Sequence, residues 1–135
     1  MNSKSEAGPH LKGRRLIGMV LSGIAILFLL FDSVGKLLKV APVVEGTAQL
    51  GYPDAVIRPI GIILLLCVLT YVTPRTAVLG AVLLTGYMGG AIATHVRVGS
   101  PLLTHVLFPV YVSILVWAGL FLRDARVQQV LRAQS

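Results

Sequence analysis

The sequence predicts an all-α fold: an integral membrane four-helix bundle with a short amphipathic helix between helices one and two. Hydrophobic residues make up 56% of the 135 residues and charged residues only 13%, a composition outside the range of soluble domains. The apolar residues form four long blocks, and about 20 such residues span a bilayer as a helix. Because the blocks are continuous, they do not fit the alternating pattern of β-barrel strands.

The predicted boundaries follow these blocks. Residues 1–13 are polar and contain glycine and proline, so we expect a disordered tail there. The transmembrane domain is predicted over 14–126, and a short amphipathic tail over 127–135. The predicted spans are 16–38, 56–72, 76–96 and 102–122.

Helix one begins after Arg14 and Arg15 and continues into the stretch FDSVGKLLKV. No small-residue cleavage motif follows its apolar run, which indicates a retained helix and not a cleaved signal peptide. Asp32 and Lys36 are four residues apart, so they share one face of this helix and can form an ion pair.

The connector after helix one predicts a short helix at the membrane surface. Pro42 stands where a helix can begin, and Gly51 and Pro53 stand where it would end. Tyr52 is expected to anchor this segment at the interface. Glu45 lies within the predicted helix.

The remaining three helices carry few polar groups. Helix two contains the single cysteine, Cys67, so no disulfide can form within the chain. In helix three, Gly86, Gly89 and Gly90 include a GxxxG pattern, and we interpret them as helix-packing residues. Pro109 near the start of helix four frees a carbonyl and predicts a kink.

The positive charges flank the apolar blocks, where they set the orientation of the chain in the membrane. The net charge of +7 is therefore not interpreted as a sign of nucleic-acid binding. An N-terminus inside the cell places eight Lys and Arg residues inside and four outside. This distribution predicts a multi-pass protein of the inner membrane with both termini in the cytoplasm. The inside set is Lys4, Lys12, Arg14, Arg15, Arg75, Arg123, Arg126 and Arg132; the outside set is Lys36, Lys39, Arg58 and Arg97.

This topology brings the polar side chains together at the outer end of the bundle, which makes that end the predicted ligand-binding site. Asp32 and His95 are the candidates for acid and base catalysis. A purely structural ion-pair cluster of Asp32, Lys36 and Arg97 is the alternative. The candidate ligand-binding residues are Asp32, Lys36, Glu45, Thr94, His95, Arg97 and His105.

His95 and His105 lie ten residues apart across a turn, so we expect them at similar depth on adjacent helices. Such a pair could bind a metal or a haem, donate to a quinone, or relay protons. No HxxxH, ExxH or CxxCH motif is present, which disfavours a metal or haem and leaves a quinone as the open cofactor.

Four stretches together resemble the DoxX-like family of small bacterial membrane proteins: FDSVGKLLK, VVEGTAQLGYP, PRTAVLGAVLLTGYMGGAIATHVRVG and LFLRDAR. The resemblance covers about residues 16–126. It implies a four-helix membrane bundle and, for some relatives, an association with quinone-linked oxidoreductases or oxidative-stress complexes. It also marks Asp32, Lys36, Glu45 and the Thr94–Arg97 stretch as motif positions without an assigned role.

Three functions remain open from the sequence. The first is a small redox-associated or quinone-linked membrane subunit that uses the outer polar cluster. The second is a structural or assembly protein whose helix three packs against a membrane protein partner or a second copy of the chain. The third is a small isomerase-type membrane enzyme acting on a lipophilic substrate.

Overall fold

The computed structural model describes residues 9–135, and these residues form helices and turns without a strand. Four helical stretches are long and apolar enough to cross a membrane. The predicted all-α membrane bundle is therefore confirmed, including the short helix between the first two spans. The helices are α1 (Pro9–Leu37), α2 (Ala41–Gln49), α3 (Ile57–Val72), α4 (Ala77–Arg97), α5 (Phe108–Arg123) and α6 (Ala125–Ala133).

Helix α1 begins earlier than the predicted span. It starts at Pro9, so residues 9–13 are helical and not part of a disordered tail. Proline is tolerated in a first helical turn because the N–H it lacks has no partner there. Residues 1–8 of the predicted tail lie outside the described residues.

The four long helices form a closed ring in which α1 packs against α3 and α5, and α4 packs against the same two helices. Leu29, Leu64 and Leu120 are fully buried between them. The outer faces are also apolar, as Leu27 and Phe31 show with exposures of 71% and 77%. Helices that are apolar on all faces are stable in lipid, which makes this chain a membrane protein.

The closest helix contacts depend on glycines outside the GxxxG pattern. A Cβ at Gly18 would lie 2.7 Å from the backbone nitrogen of Arg123, and one at Gly80 would overlap the backbone of Tyr71. By contrast, a Cβ added at Gly86, Gly89 or Gly90 would meet no described atom within 4 Å other than its chain neighbours and the backbone of its own helix. No contact within the described chain requires these three glycines, and packing against another chain remains a prediction.

A buried hydrogen-bond chain joins α1, α3 and α5 at the end of the bundle where α1 begins. Arg123 Nε donates to Ser22 Oγ at 3.0 Å, and Tyr71 Oη donates to the Val116 carbonyl at 2.7 Å. Since the Tyr71 proton is engaged, the 2.9 Å contact between Ser22 and Tyr71 has Ser22 as its donor. The Arg123 guanidinium also lies 5.0 Å from the Tyr71 ring centroid, within the range of a cation–π interaction.

The fourth span is not one continuous α-helix. Residues Leu102–Val106 form a π-helical turn, and α5 begins only at Phe108. Pro109 therefore lies in the first turn of α5, where its missing N–H costs no helical hydrogen bond. The predicted kink within a helix is thus a break between two helical segments.

Candidate functional site

A cavity of about 800 Å³ lies at the end of the bundle where α1 and α4 end. We call it the ligand cavity, and its volume is within the range of small-molecule sites, roughly 300–1,000 Å³. Helices α1, α2, α3, α4 and α5 all contribute to its wall. Its polar or ionisable lining side chains are Asp32, Lys36, Thr47, Gln49, Tyr52, Tyr87, Thr94, His95, Ser100 and His105.

Asp32 and Lys36 form the predicted ion pair in the last two turns of α1. Lys36 Nζ lies 2.5 Å from Asp32 Oδ2, and the two side chains are 12% and 31% exposed respectively. The pair neutralises two charges that would be costly near the hydrocarbon core if they stood alone. Both residues nevertheless line the cavity, so the pair is accessible to a ligand.

His95 and His105 meet across the predicted turn, with their ring centroids 5.7 Å apart at an angle of 64°. Each ring has a hydroxyl on its Nδ1: Ser100 Oγ at 3.0 Å from His95, and Thr104 Oγ1 at 2.7 Å from His105. When the hydroxyls donate to Nδ1, the proton of each neutral ring is on Nε2. Each of these two cavity-lining rings then keeps one N–H donor.

The connector lies over the cavity and is attached to α4 by side chains. Thr94 Oγ1 donates to the Gly90 carbonyl at 2.8 Å, so in its 2.8 Å contact with Tyr52 the tyrosine hydroxyl is the donor. Arg97 Nη2 donates to the Leu50 carbonyl at 2.8 Å. These bonds hold the end of α2 against α4, where Thr47 and Leu50 complete the wall.

Two predicted site residues lie outside the cavity wall. Glu45 is on the exposed side of α2, and Arg97 is exposed and bonded to the connector backbone. Neither lines the ligand cavity. The predicted cluster of Asp32, Lys36 and Arg97 is not formed: Asp32 pairs with Lys36 alone, while Arg97 positions the connector.

Three aromatic residues that no sequence motif indicated also line the cavity: Phe28, Tyr87 and Phe108. The Phe28 and Phe108 rings make an edge-to-face contact, with centroids 4.9 Å apart, which joins α1 to α5. The sequence could have indicated Tyr87, which lies between Gly86 and Gly89 in an apolar helix. A tyrosine hydroxyl in such a helix needs a hydrogen-bond partner.

The charges of the side chains that line the cavity indicate which class of ligand it can bind. Asp32 and Lys36 are its only fully charged residues, so with neutral histidines the formal net charge of the wall is zero. Among residues 9–135, no group of three or more His, Cys, Asp and Glu side chains is arranged to hold a metal ion. The arrangement suits an uncharged ligand with an apolar body and a polar end that donates and accepts hydrogen bonds.

The fold and the cavity define this chain as a four-helix membrane protein with a ligand-sized cavity at one end of the bundle. The family model of the DoxX-like family matches residues 20–119, which are 100 of the 135 residues. The chain therefore belongs to the DoxX-like family. No curated protein and no solved structure matches it.

Proposed function

We propose that the protein is a small quinone-binding subunit associated with a redox system of the membrane. The observation that carries this proposal is that the Asp32–Lys36 ion pair and the His95–His105 pair both line one cavity of about 800 Å³. A quinone is an uncharged lipophilic molecule with two carbonyl oxygens. When bound, it would supply two-electron and two-proton redox chemistry.

The residues of the cavity match the two ends of such a ligand. His95 and His105 can donate from Nε2 to a carbonyl oxygen, and Lys36 offers further N–H donors. Asp32 can accept a proton or a hydroxyl hydrogen bond. Ile63, which is 55% exposed and also lines the cavity, continues the wall onto the lipid-facing surface, where an isoprenoid tail would lie.

Replacing His95 by alanine is expected to weaken quinone binding by roughly tenfold, the effect of losing one hydrogen bond in a desolvated site. The measurement is a titration of the purified, delipidated and reconstituted protein with a short-chain quinone. Trp117 is the single tryptophan of the chain and bonds to Thr85, next to Gly86 of the cavity wall, so quenching of its fluorescence reports binding.

His10→Ala is the matched control because His10 is exposed at the opposite end of the bundle. It should bind quinone as the unaltered protein does. Absence of saturable quenching in the unaltered protein, or equal affinity in the His95 and His10 variants, would refute the proposal.

A structural or assembly role is the second candidate, and the open surface of α4 favours it. Gly89 is exposed and lies outside the cavity wall. A Cβ added there would contact no described residue of another helix within 4 Å. A partner helix could approach closely there.

Gly89→Leu separates the two candidates. If α4 packs against a partner, this variant should lose the partner or reduce the oligomer mass measured by light scattering in detergent, while quinone binding is unaffected. An unchanged mass and an unchanged set of co-purified membrane proteins would remove the assembly role.

A further inference from the structure

A second cavity, of about 410 Å³, lies at the opposite end of the bundle and is rich in arginine. We call it the arginine cavity. It is formed where the first turns of α1, the turn between α3 and α4, and the junction of α5 and α6 meet. Its lining residues are Arg15, Met19, Pro74, Arg123, Asp124, Ala125 and Arg126.

The one carboxylate of this cavity is already engaged. Asp124 caps α6 by accepting from the backbone N–H of Arg126 at 2.9 Å, and Arg126 Nη2 lies 3.0 Å from Asp124 Oδ2. The side-chain hydrogen bond from Arg126 lowers the pKa of the Asp124 carboxyl below its usual range. Asp124 is therefore ionised at neutral pH and neutralises Arg126.

Arg123 is held in place by several contacts but has no counter-ion among residues 9–135. Its backbone is held against α1 at Gly18, its Nε donates to Ser22, and its guanidinium lies beside the Tyr71 ring. Arg123 forms no ion pair with any residue of the described range 9–135. Its Nη2 is buried and has no hydrogen-bond partner there, which is unfavourable for a charged donor.

Three arginines against one aspartate give the wall of the arginine cavity a formal net charge of +2. A guanidinium presents forked N–H donors that match the oxygens of a phosphate group. The cavity thus has the charge and the donor geometry for a phosphate, and its one carboxylate is paired with Arg126.

Two features favour a phospholipid over free phosphate. The cavity lies at the ends of the membrane-spanning stretches, which is the depth of lipid headgroups. Leu16 and Met19 of α1, 62% and 56% exposed, continue from the cavity along the apolar surface where an acyl chain would pack.

We propose that the arginine cavity binds the phosphate group of an anionic phospholipid. Arg15 and Arg123 hold the phosphate, and the acyl chains lie along α1. The site is independent of the quinone proposal because it is at the other end of the bundle. It is equally independent of which terminus faces the cytoplasm, since both leaflets contain phospholipid.

The test is native mass spectrometry of the full-length protein, delipidated and then titrated with phosphatidylglycerol or phosphatidylcholine. We expect one retained phosphatidylglycerol per chain and no comparable adduct with phosphatidylcholine. Arg15→Gln should lower the phosphatidylglycerol affinity by about tenfold, the value of one hydrogen bond to a charged group. Arg14→Gln removes the same charge from the same helical turn but lies outside the cavity wall, so it should leave the affinity unchanged.

Three results would overturn the proposal: equal binding of both lipids, equal affinity in the Arg15 and Arg14 variants, or no retained lipid. A competition with excess inorganic phosphate identifies the source of the phosphate group. We expect the lipid to stay bound, whereas its displacement would assign the cavity to a free anion and contradict the lipid proposal.

Discussion

Gly80→Ala is expected to lower the free energy of unfolding by about 3 kcal/mol, at the upper end of the cost of overpacking a well-packed contact. The added Cβ would overlap backbone atoms of Tyr71, which no rotamer change can move. The two helices cannot separate to relieve the overlap because only the short turn Pro74–Thr76 connects them. Thermal unfolding of the purified protein in detergent measures the effect.

Gly89→Ala is the control for this substitution in the same helix. Since the added Cβ would meet nothing described within 4 Å beyond its chain neighbours and its own helix backbone, alanine should stabilise the helix by about 0.5–1 kcal/mol through its higher helix propensity. Similar unfolding temperatures for the two variants would contradict the close contact between Gly80 and Tyr71.

Asp32→Leu is expected to have the second large effect, because it leaves Lys36 charged, only 12% exposed and without its partner. The cost should be about 1–3 kcal/mol, between the values for exposed and buried pairs. Quinone affinity should fall at the same time. The double variant Asp32→Leu with Lys36→Leu should regain the stability, since apolar residues can replace an ion pair at little cost, but not the affinity.

Stability is followed by thermal unfolding and affinity by the quenching of Trp117. Asp54→Leu is the control, because Asp54 is 69% exposed in its ion pair with Lys39. This substitution should lower the free energy of unfolding by less than about 0.5 kcal/mol. A double variant that binds quinone as tightly as the unaltered protein would exclude the ion pair from the site.

Much of the candidate site could be predicted because it depends on short sequence distances. The pairing of Asp32 with Lys36 follows from their spacing on one helix. The contact between His95 and His105 follows from a short connection between neighbouring antiparallel helices. The order of the spans along the chain therefore determines which end of the bundle holds these four residues.

The features that could not be predicted depend on how each helix is rotated about its axis. An apolar stripe sets this rotation in a soluble protein, but these helices are apolar on all faces, so the sequence contains little information about it. For this reason the GxxxG pattern indicates a packing face that no contact among residues 9–135 uses, while the close contacts at Gly18 and Gly80 lie outside that pattern. Likewise, Arg97 bonds to the Leu50 carbonyl, a partner defined only by the folded connector.

The π-helical turn Leu102–Val106 has a consequence for insertions and deletions. The backbone N–H groups of Val106 and Leu107 donate to the carbonyls of Pro101 and Leu102. Each of these hydrogen bonds spans one residue more than in an α-helix. With α5 held in place, deletion of Val106 would allow ordinary α-helical bonding and move His105 forward by one position. His105 would then rotate by about 100° around the helix axis, the angle per residue of an α-helix, and leave His95. The one extra residue of this turn, inside the fourth span, thus sets whether the two histidines meet.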